Sequence, residues 1–255
     1  MIQPKKHLGQ HFLTDKNIAL KIVQSLDYKS ENKIPCIEIG PGKGILTQFL
    51  MQREDIDLYL VEIDYEAVNY MNENFKELTN KIINADILKY NLNLITENEF
   101  VIIGNFPYNI SSQIFFKILE NKTKVKQTVC MIQKEVAERI ASKEGNKTYG
   151  ILSVLLQAFY DIEYLFTVNE GVFLPPPKVK SAVIRLNRKT TDYEIKNQKT
   201  YFTLVKLAFS HRRKTLRNNL KDNFDISKID EITLGKRAEQ LSVLDFVELS
   251  NLLSE

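Results

Sequence analysis

Cys36-Ile37-Glu38-Ile39-Gly40-Pro41-Gly42-Lys43-Gly44, residues 36–44, is the stretch that decides the fold of this chain. An apolar run breaks into three glycines at alternate positions, and a helical pattern follows over residues 46–53. A glycine turn between a strand and a helix lets backbone approach a ligand closely. The spacing is neither the GxGxxG dinucleotide fingerprint nor a P-loop, which would need GK[ST]. The next apolar run, Leu58-Tyr59-Leu60-Val61-Glu62, ends in a carboxylate 22 residues after Gly40. An acidic residue at the end of the second strand of such a sheet can hold both ribose hydroxyls of a bound nucleoside. A third strand candidate, residues 82–84, is followed by Asp86, whose carboxylate can accept from an adenine amino group.

Working outward, apolar runs over residues 36–39, 58–62, 82–84, 100–104 and 128–132 alternate with helical patterns over 46–53, 65–78, 111–120 and 135–142. Such alternation predicts an α/β fold, an open and mostly parallel sheet with helices on both faces. Ligands in such sheets bind at the carboxyl edge of the strands, so successive strand ends carrying Gly40, Glu62 and Asp86 predict one site for an adenosine-bearing cofactor. Upstream, Asp15 can cap a helix running through Leu26. Two β-rich runs follow the sheet, over 160–168 and 181–186. The polar stretch 187–200 reads as a linker to helical patterns without strand signal. The predicted domains are therefore residues 1–187, which hold the sheet and the predicted cofactor site, and residues 188–255, small and helical.

The strand ending at Gly104 runs into Asn105-Phe106-Pro107-Tyr108-Asn109-Ile110. An exocyclic aromatic amine is a poor nucleophile because its lone pair is delocalised into the ring. Two acceptors aimed at its N–H groups favour the tetrahedral nitrogen that attacks; Asn105 Oδ1 and the carbonyl of Pro107 can supply them. Pro107 fixes its own φ and restricts Phe106, so the carbonyls are held in place. Tyr108 offers a face for base stacking, worth roughly 1–3 kcal/mol. The competing structural account is a turn with buried aromatics.

Composition excludes several classes. The chain is 44% hydrophobic and 26% charged, with no apolar run approaching membrane-spanning length. The basic N-terminus, residues 1–7, is followed by no apolar signal region, so a cytoplasmic protein is expected. Cys36 and Cys130 are the only cysteines and are expected to be buried thiols. Three scattered histidines, His7, His11 and His211, give no metal-ligand spacing, so no metal is expected. The net charge is +3, but residues 176–221 hold 13 Lys/Arg against 2 Asp/Glu, a local +11. The rest then holds 22 Lys/Arg against 30 Asp/Glu, or −8. That asymmetry predicts a C-terminal surface facing a polyanion.

Six stretches carry a resemblance: GQHFL (9–13), EIGPGKGILT (38–47), VEID (61–64), NFPYNIS (105–111), FLPPPKVKSAV (173–183) and RRKTLRNNL (212–220). In this order, over nearly the whole chain, they resemble the ribosomal RNA adenine dimethyltransferases that act on the small subunit. The resemblance implies a Rossmann-like, S-adenosylmethionine-dependent methyltransferase fold with a small α-helical C-terminal domain. It implies conversion of two adjacent adenosines, in the loop of the hairpin near the 3′ end of 16S rRNA, to N6,N6-dimethyladenosine. Carried over by position, the family's cofactor contacts fall on His11, Leu13, Gly40, Glu62, Asp86 and Asn105, and its target-base motif on Asn105, Pro107 and Tyr108. His11 stands where Asn is commoner, and Phe106 where Leu is.

The polyanion is then RNA, with 16S rRNA in an immature 30S subunit as the expected partner of a monomeric enzyme. Arg212, Arg213, Lys214, Arg217 and Lys221 are the expected phosphate contacts, with Arg213, Arg217 and Lys221 at helical spacing on one face; a merely solvated helix face is the alternative. Phe173, ahead of three prolines, is a candidate flank for the target base, with core packing as its equal. Competing functions are a large-subunit rRNA adenine methyltransferase conferring antibiotic resistance and a non-catalytic nucleic-acid-binding assembly or transcription factor on the same fold. A protein glutamine methyltransferase would use the same acceptor logic but leaves the basic segment without a role.

Overall fold

The computed structural model describes residues 4, 5 and 8–254; of the basic N-terminus, residues 1–3, Lys6 and His7 lie outside them. In chain order the strands and helices are β1 (Phe12–Leu13), α1 (Lys16–Gln24), β2 (Ile34–Ile39), α2 (Thr47–Leu50), β3 (Ile56–Glu62), α3 (Tyr65–Asn74), β4 (Ile82–Asn84), β5 (Phe100–Asn105), α4 (Ser111–Glu120) and β6 (Val125–Gln133). They continue with α5 (Lys134–Ala141), α6 (Ile151–Gln157), β7 (Tyr160–Val168), β8 (Phe173–Leu174), β9 (Ser181–Arg188), α7 (Gln198–Ala208), α8 (Leu216–Leu220), α9 (Glu231–Gly235) and α10 (Val243–Leu252).

A seven-stranded sheet has the order β4-β3-β2-β5-β6-β9-β7. Strands β4, β3, β2, β5 and β6 are parallel to one another, and β9 is antiparallel to β6. The strand order reverses between β2 and β5. Their ends, Gly40 and Asn105, therefore flank the crevice that such a reversal opens at the carboxyl edge. Two-residue β1 pairs antiparallel with β8, Phe12 opposite Leu174 and Leu13 opposite Phe173.

The chain divides into two compact units, Met1–Ala137 with Glu163–Arg188, and Glu138–Ile162 with Lys189–Glu255. In the first, both faces of the sheet are covered. The central strands are near-continuous apolar runs because both of their faces are buried; Cys36, Ile37, Val101, Ile103, Val129 and Met131 are all inaccessible. Both cysteines are free and buried, as expected. Asp15 caps α1 by accepting from the N–H groups of Asn17 and Ile18, as its position predicts. In the second unit, helices pack around Tyr149, Tyr201, Phe209 and Phe246, with Phe209 stacked on Phe246 at 5.8 Å between centroids. Among the described residues no helix is long and apolar enough to cross a membrane.

Candidate active site

Four strand ends build the cleft. Gly40 follows β2, Glu62 ends β3, Asp86 lies two residues past β4 and Asn105 ends β5. Together with His11, Phe12, Pro107 and Tyr108 they line one cavity of about 150 Å³. The glycine turn works through conformation: Gly40 has φ 65°, a region costly to any residue with a Cβ. A Cβ there would meet nothing nearer than Pro107 Cδ at 4.0 Å, so this backbone is open to the cleft. By contrast a Cβ on Gly44 would sit 2.5 Å from the Phe75 ring, so that glycine serves packing.

Glu62 is 5% exposed. One carboxylate oxygen accepts from Gly42 N at 3.3 Å and the other from Asp64 N at 2.9 Å. Burial raises its pKa above the ordinary carboxylate range, and the backbone amides of Asp64, Gly42 and Ile63 pull it back only in part. Each oxygen keeps a further lone pair, so a bound diol can satisfy the carboxylate more fully than the protein does. Asp86 is half-exposed and accepts from Leu88 N at 3.0 Å, which fixes one oxygen and leaves the other towards Lys89, 3.9 Å away.

The Asn105 amide is oriented by its neighbour. Its Nδ2 donates to the His11 carbonyl at 2.9 Å, which fixes which end is oxygen. The opposite end, Oδ1, is buried with no hydrogen-bond partner. A buried acceptor left unpaired is costly and calls for a ligand or a water. The Pro107 carbonyl already accepts from Ile110 N at 3.2 Å, which uses one of its two lone pairs and aims the group. The Tyr108 ring stacks against His11 at 5.4 Å, and its hydroxyl contacts Ser181 Oγ at the start of β9. Burial raises the pKa of that hydroxyl, keeping it neutral. His11 Nδ1 lies 2.8 Å from the Pro175 carbonyl, so this nitrogen carries the hydrogen and donates. Strand β1, the 105–110 turn and the segment entering β9 are thus pinned together.

Most of the expected site residues converge on this cleft, but two do not. Leu13 is buried in the core and lines a smaller adjoining void of about 30 Å³, with Glu38, Gly40 and Asn105. Phe173, opposite Leu13 on β8, is 4% exposed and packed in the same core, which is the packing alternative given for it. Phe106 is likewise a core residue, edge-on to Phe115. Sequence reasoning passed over Phe12 and Ile63 as cleft residues. Ile63 is 50% exposed although apolar, flanked by Glu62 and Asp64; an apolar residue between two acids at a strand end was the available signal. Glu38, wholly buried and accepting from Thr47 Oγ1 at 2.7 Å, has its pKa pushed up to about 8 by burial.

The basic segment lies in the second unit. Arg213, Arg217 and Lys221 do not share one helix face, because α8 spans only Leu216–Leu220 and Arg213 sits in the turn before it. Asn219 forces that turn: its Nδ2 donates to the carbonyls of Ala208 and His211, closing the end of α7. Arg213, Lys214 and Lys221 are exposed and their side chains have no ion pair among the described residues. Arg217 pairs with Glu231. Arg212 donates to the carbonyls of Lys147 and Tyr149, at 2.5 and 3.0 Å.

A parallel sheet whose order reverses at a glycine turn, with acids at the next two strand ends, defines a class of nucleotide-cofactor enzymes, and the solved structures narrow it to methyltransferases. The crystal structure of a dimethyladenosine transferase from Plasmodium falciparum matches with a TM-score of 0.75 and 26% identity, over 94% of this chain and 96% of that one. The 23S rRNA methyltransferase ErmE has the same fold, with a TM-score of 0.72 at 23% identity over 96% of this chain and all of that one. The family model described as ribosomal RNA adenine dimethylase matches residues 1–255, and the chain belongs to that family. Among its relatives, the ribosomal RNA small subunit methyltransferase A of Flavobacterium johnsoniae is 53% identical over 252 residues, 98% of this chain and 95% of the relative. The protein of the same name from Cytophaga hutchinsonii is 52% identical, over 99% of this chain and 98% of the relative. The α/β methyltransferase reading of the sequence holds.

Proposed function

We propose that this enzyme uses S-adenosylmethionine to dimethylate the N6 amines of two adjacent adenosines in the loop of the 3′-terminal hairpin of 16S rRNA. It acts on an immature 30S subunit, as a cytoplasmic monomer without a metal. The observation that carries the chemistry is the orphaned Oδ1 of Asn105, buried in the same cleft as Gly40, Glu62 and Asp86. The small-subunit assignment leans on the names of the relatives, which favour it over the large-subunit alternative.

The residues present fit the cofactor. Glu62 has acceptor capacity for two ribose hydroxyls, Asp86 for an adenine amine, and the Gly40 backbone leaves room for the chain between them. Ile63 and Phe12 supply apolar cover. When bound, S-adenosylmethionine supplies an electrophilic methyl group. The protein's part is to prepare the amine. Tyr108 receives the extruded base on its ring, offsetting a flipping cost of a few kcal/mol. In the first transfer Asn105 Oδ1 and the free lone pair of the Pro107 carbonyl accept from the two N–H groups, drawing the nitrogen lone pair out of the ring; in the second, one of them accepts from the single N–H that remains. Once methylated, the nitrogen is acidic and water takes its proton, so no side-chain base is required.

The test is incubation with labelled S-adenosylmethionine and small subunits from cells lacking the modification, then mapping of the label. Label on two adjacent adenosines of the hairpin loop is the expected result. Label only at other nucleotides, or no transfer, overturns the proposal.

A further inference from the structure

The loop over residues 142–148, between α5 and α6, is exposed and charged, yet tightly fastened. Ser142 Oγ and Thr148 Oγ1 share a hydrogen bond of 2.8 Å across its base. Gln157 Nε2 donates to the Ser142 carbonyl at 2.8 Å. At the tip, Gly145 has φ 80° and its N–H donates to the Glu239 carbonyl at 2.7 Å. Arg212 holds the far side through the carbonyls of Lys147 and Tyr149. This last clamp joins the loop to the turn that carries Arg213 and Lys214. Lys147, Arg213 and Lys214 are exposed, and their side chains have no partner among the described residues. Lys143 is exposed in the same loop, where Glu144 is the one acid.

These anchors stabilise the loop and also fix the backbone from which its charges project. Holding exposed cations in place does lower the ordering cost of meeting a ligand. A partner that fits exposed, unpaired cations carried on two joined segments is a nucleic-acid backbone. We propose that loop 142–148 and turn 211–214 form one phosphate-binding surface for RNA, with Lys147 a direct contact beside Arg213 and Lys214. Arg212 is then a positioning residue: its guanidinium fork is spent on two carbonyls, and it acts on RNA by presenting Lys147. The inference rests on the reading of the second unit as the RNA-binding part of the enzyme.

The experiment measures binding to unmodified small subunits as a function of salt for the wild type, Lys147→Ala, Arg212→Ala, their double variant, and Arg213→Ala/Lys214→Ala as reference. Removing the Lys147 cation from its phosphate is expected to weaken affinity about 3- to 10-fold and reduce the slope of log K against log salt by about 0.7–0.9. Lys147→Glu should weaken it further. Arg212→Ala should cost a similar factor alone but add little once Lys147 is Ala. Arg212→Lys, which keeps the charge but loses the fork, should resemble Arg212→Ala. If Lys147→Ala leaves affinity and slope unchanged while the reference variant loses both, the inference is wrong. Full additivity of Arg212→Ala and Lys147→Ala would make Arg212 an independent phosphate contact and overturn its positioning role. A silent reference variant would bring down the RNA-binding reading of the whole unit, and this inference with it.

Discussion

Glu62 and Arg213 meet water in opposite ways. The carboxylate of Glu62 is buried, held by two backbone N–H groups and set at a strand end by the sheet. Arg213 stands in solvent on a turn, with no partner for its charge among the described residues. In the first setting, function depends on the placement of single atoms, and one substitution leaves a partner unsatisfied in a poorly hydrated site. In the second, each charge contributes a small, salt-screened share that neighbours can partly replace. The cleft should therefore be brittle and insensitive to salt, the basic surface tolerant and steeply salt-dependent.

The sharpest way to break this contrast is Asn105→Ala. With RNA and cofactor both saturating, single-turnover methyl transfer should fall by about 10²–10³, the usual loss for one preorganised hydrogen-bonding group at a reacting centre. A near wild-type rate would reduce the 105–110 segment to a turn. Glu62→Ala comes next. Isothermal titration should show one cofactor site in the wild type. The variant should bind roughly 10- to 100-fold more weakly for each charge-assisted hydrogen bond to a ribose hydroxyl that it can no longer make, with little dependence on salt. Smaller still is Tyr108→Phe. The ring stays, but the hydrogen bond to Ser181 goes, and the expected outcome is a rise of a few-fold in KM for RNA with kcat nearly unchanged; Tyr108→Ala should cost clearly more. Arg217→Ala should be among the mildest changes to RNA affinity, since its guanidinium is already engaged by Glu231.

The smallest effect concerns stability. Glu38 is pushed up to about 8 from 4.5, so between those values the folded protein keeps a proton that the unfolded chain has released. Stability attributable to Glu38 therefore falls as pH rises through that window. Glu38→Gln, which can still accept from Thr47, should raise Tm by a few degrees at pH 8 and leave it nearly unchanged near pH 4.5. An equal shift at both pH values would show that the carboxyl does not titrate as its burial implies.

What the sequence made legible follows the same divide. The runs 82–84, 111–120 and 160–168 match β4, α4 and β7 end to end, because period and turn residues announce them. Gly40, Glu62, Asp86 and Asn105 could be placed together because a parallel sheet sends its strand ends to one edge. Helix α6 was illegible: Ile151-Leu152-Ser153-Val154-Leu155-Leu156 is apolar except at Ser153 and buried except at Ile151, so it carries no clear helical stripe. Nor does linear order show that 138–162 clusters in space with 189–255. The charge run at 212–221 was legible as charge but not as geometry. Asn219, a residue unremarkable in sequence, ends the preceding helix and turns Arg213 away from the Arg217 face.

Strand β9 has a consequence for how the enzyme is made. Because it runs antiparallel to β6, its first residue, Ser181, lies beside Gln133 at the end of β6, and the segment ahead of it returns to the ligand edge. A nascent chain that has emerged only through β6 already contains Gly40, Glu62, Asp86, Asn105 and Tyr108. Its Tyr108 hydroxyl still lacks Ser181, its His11 lacks the Pro175 carbonyl, and its β1 lacks β8. His11 and Phe12 are held by residues translated more than 160 positions later. On the proposed reading, a chain released before β9 would carry the proposed cofactor residues but lack these contacts around Tyr108 and His11.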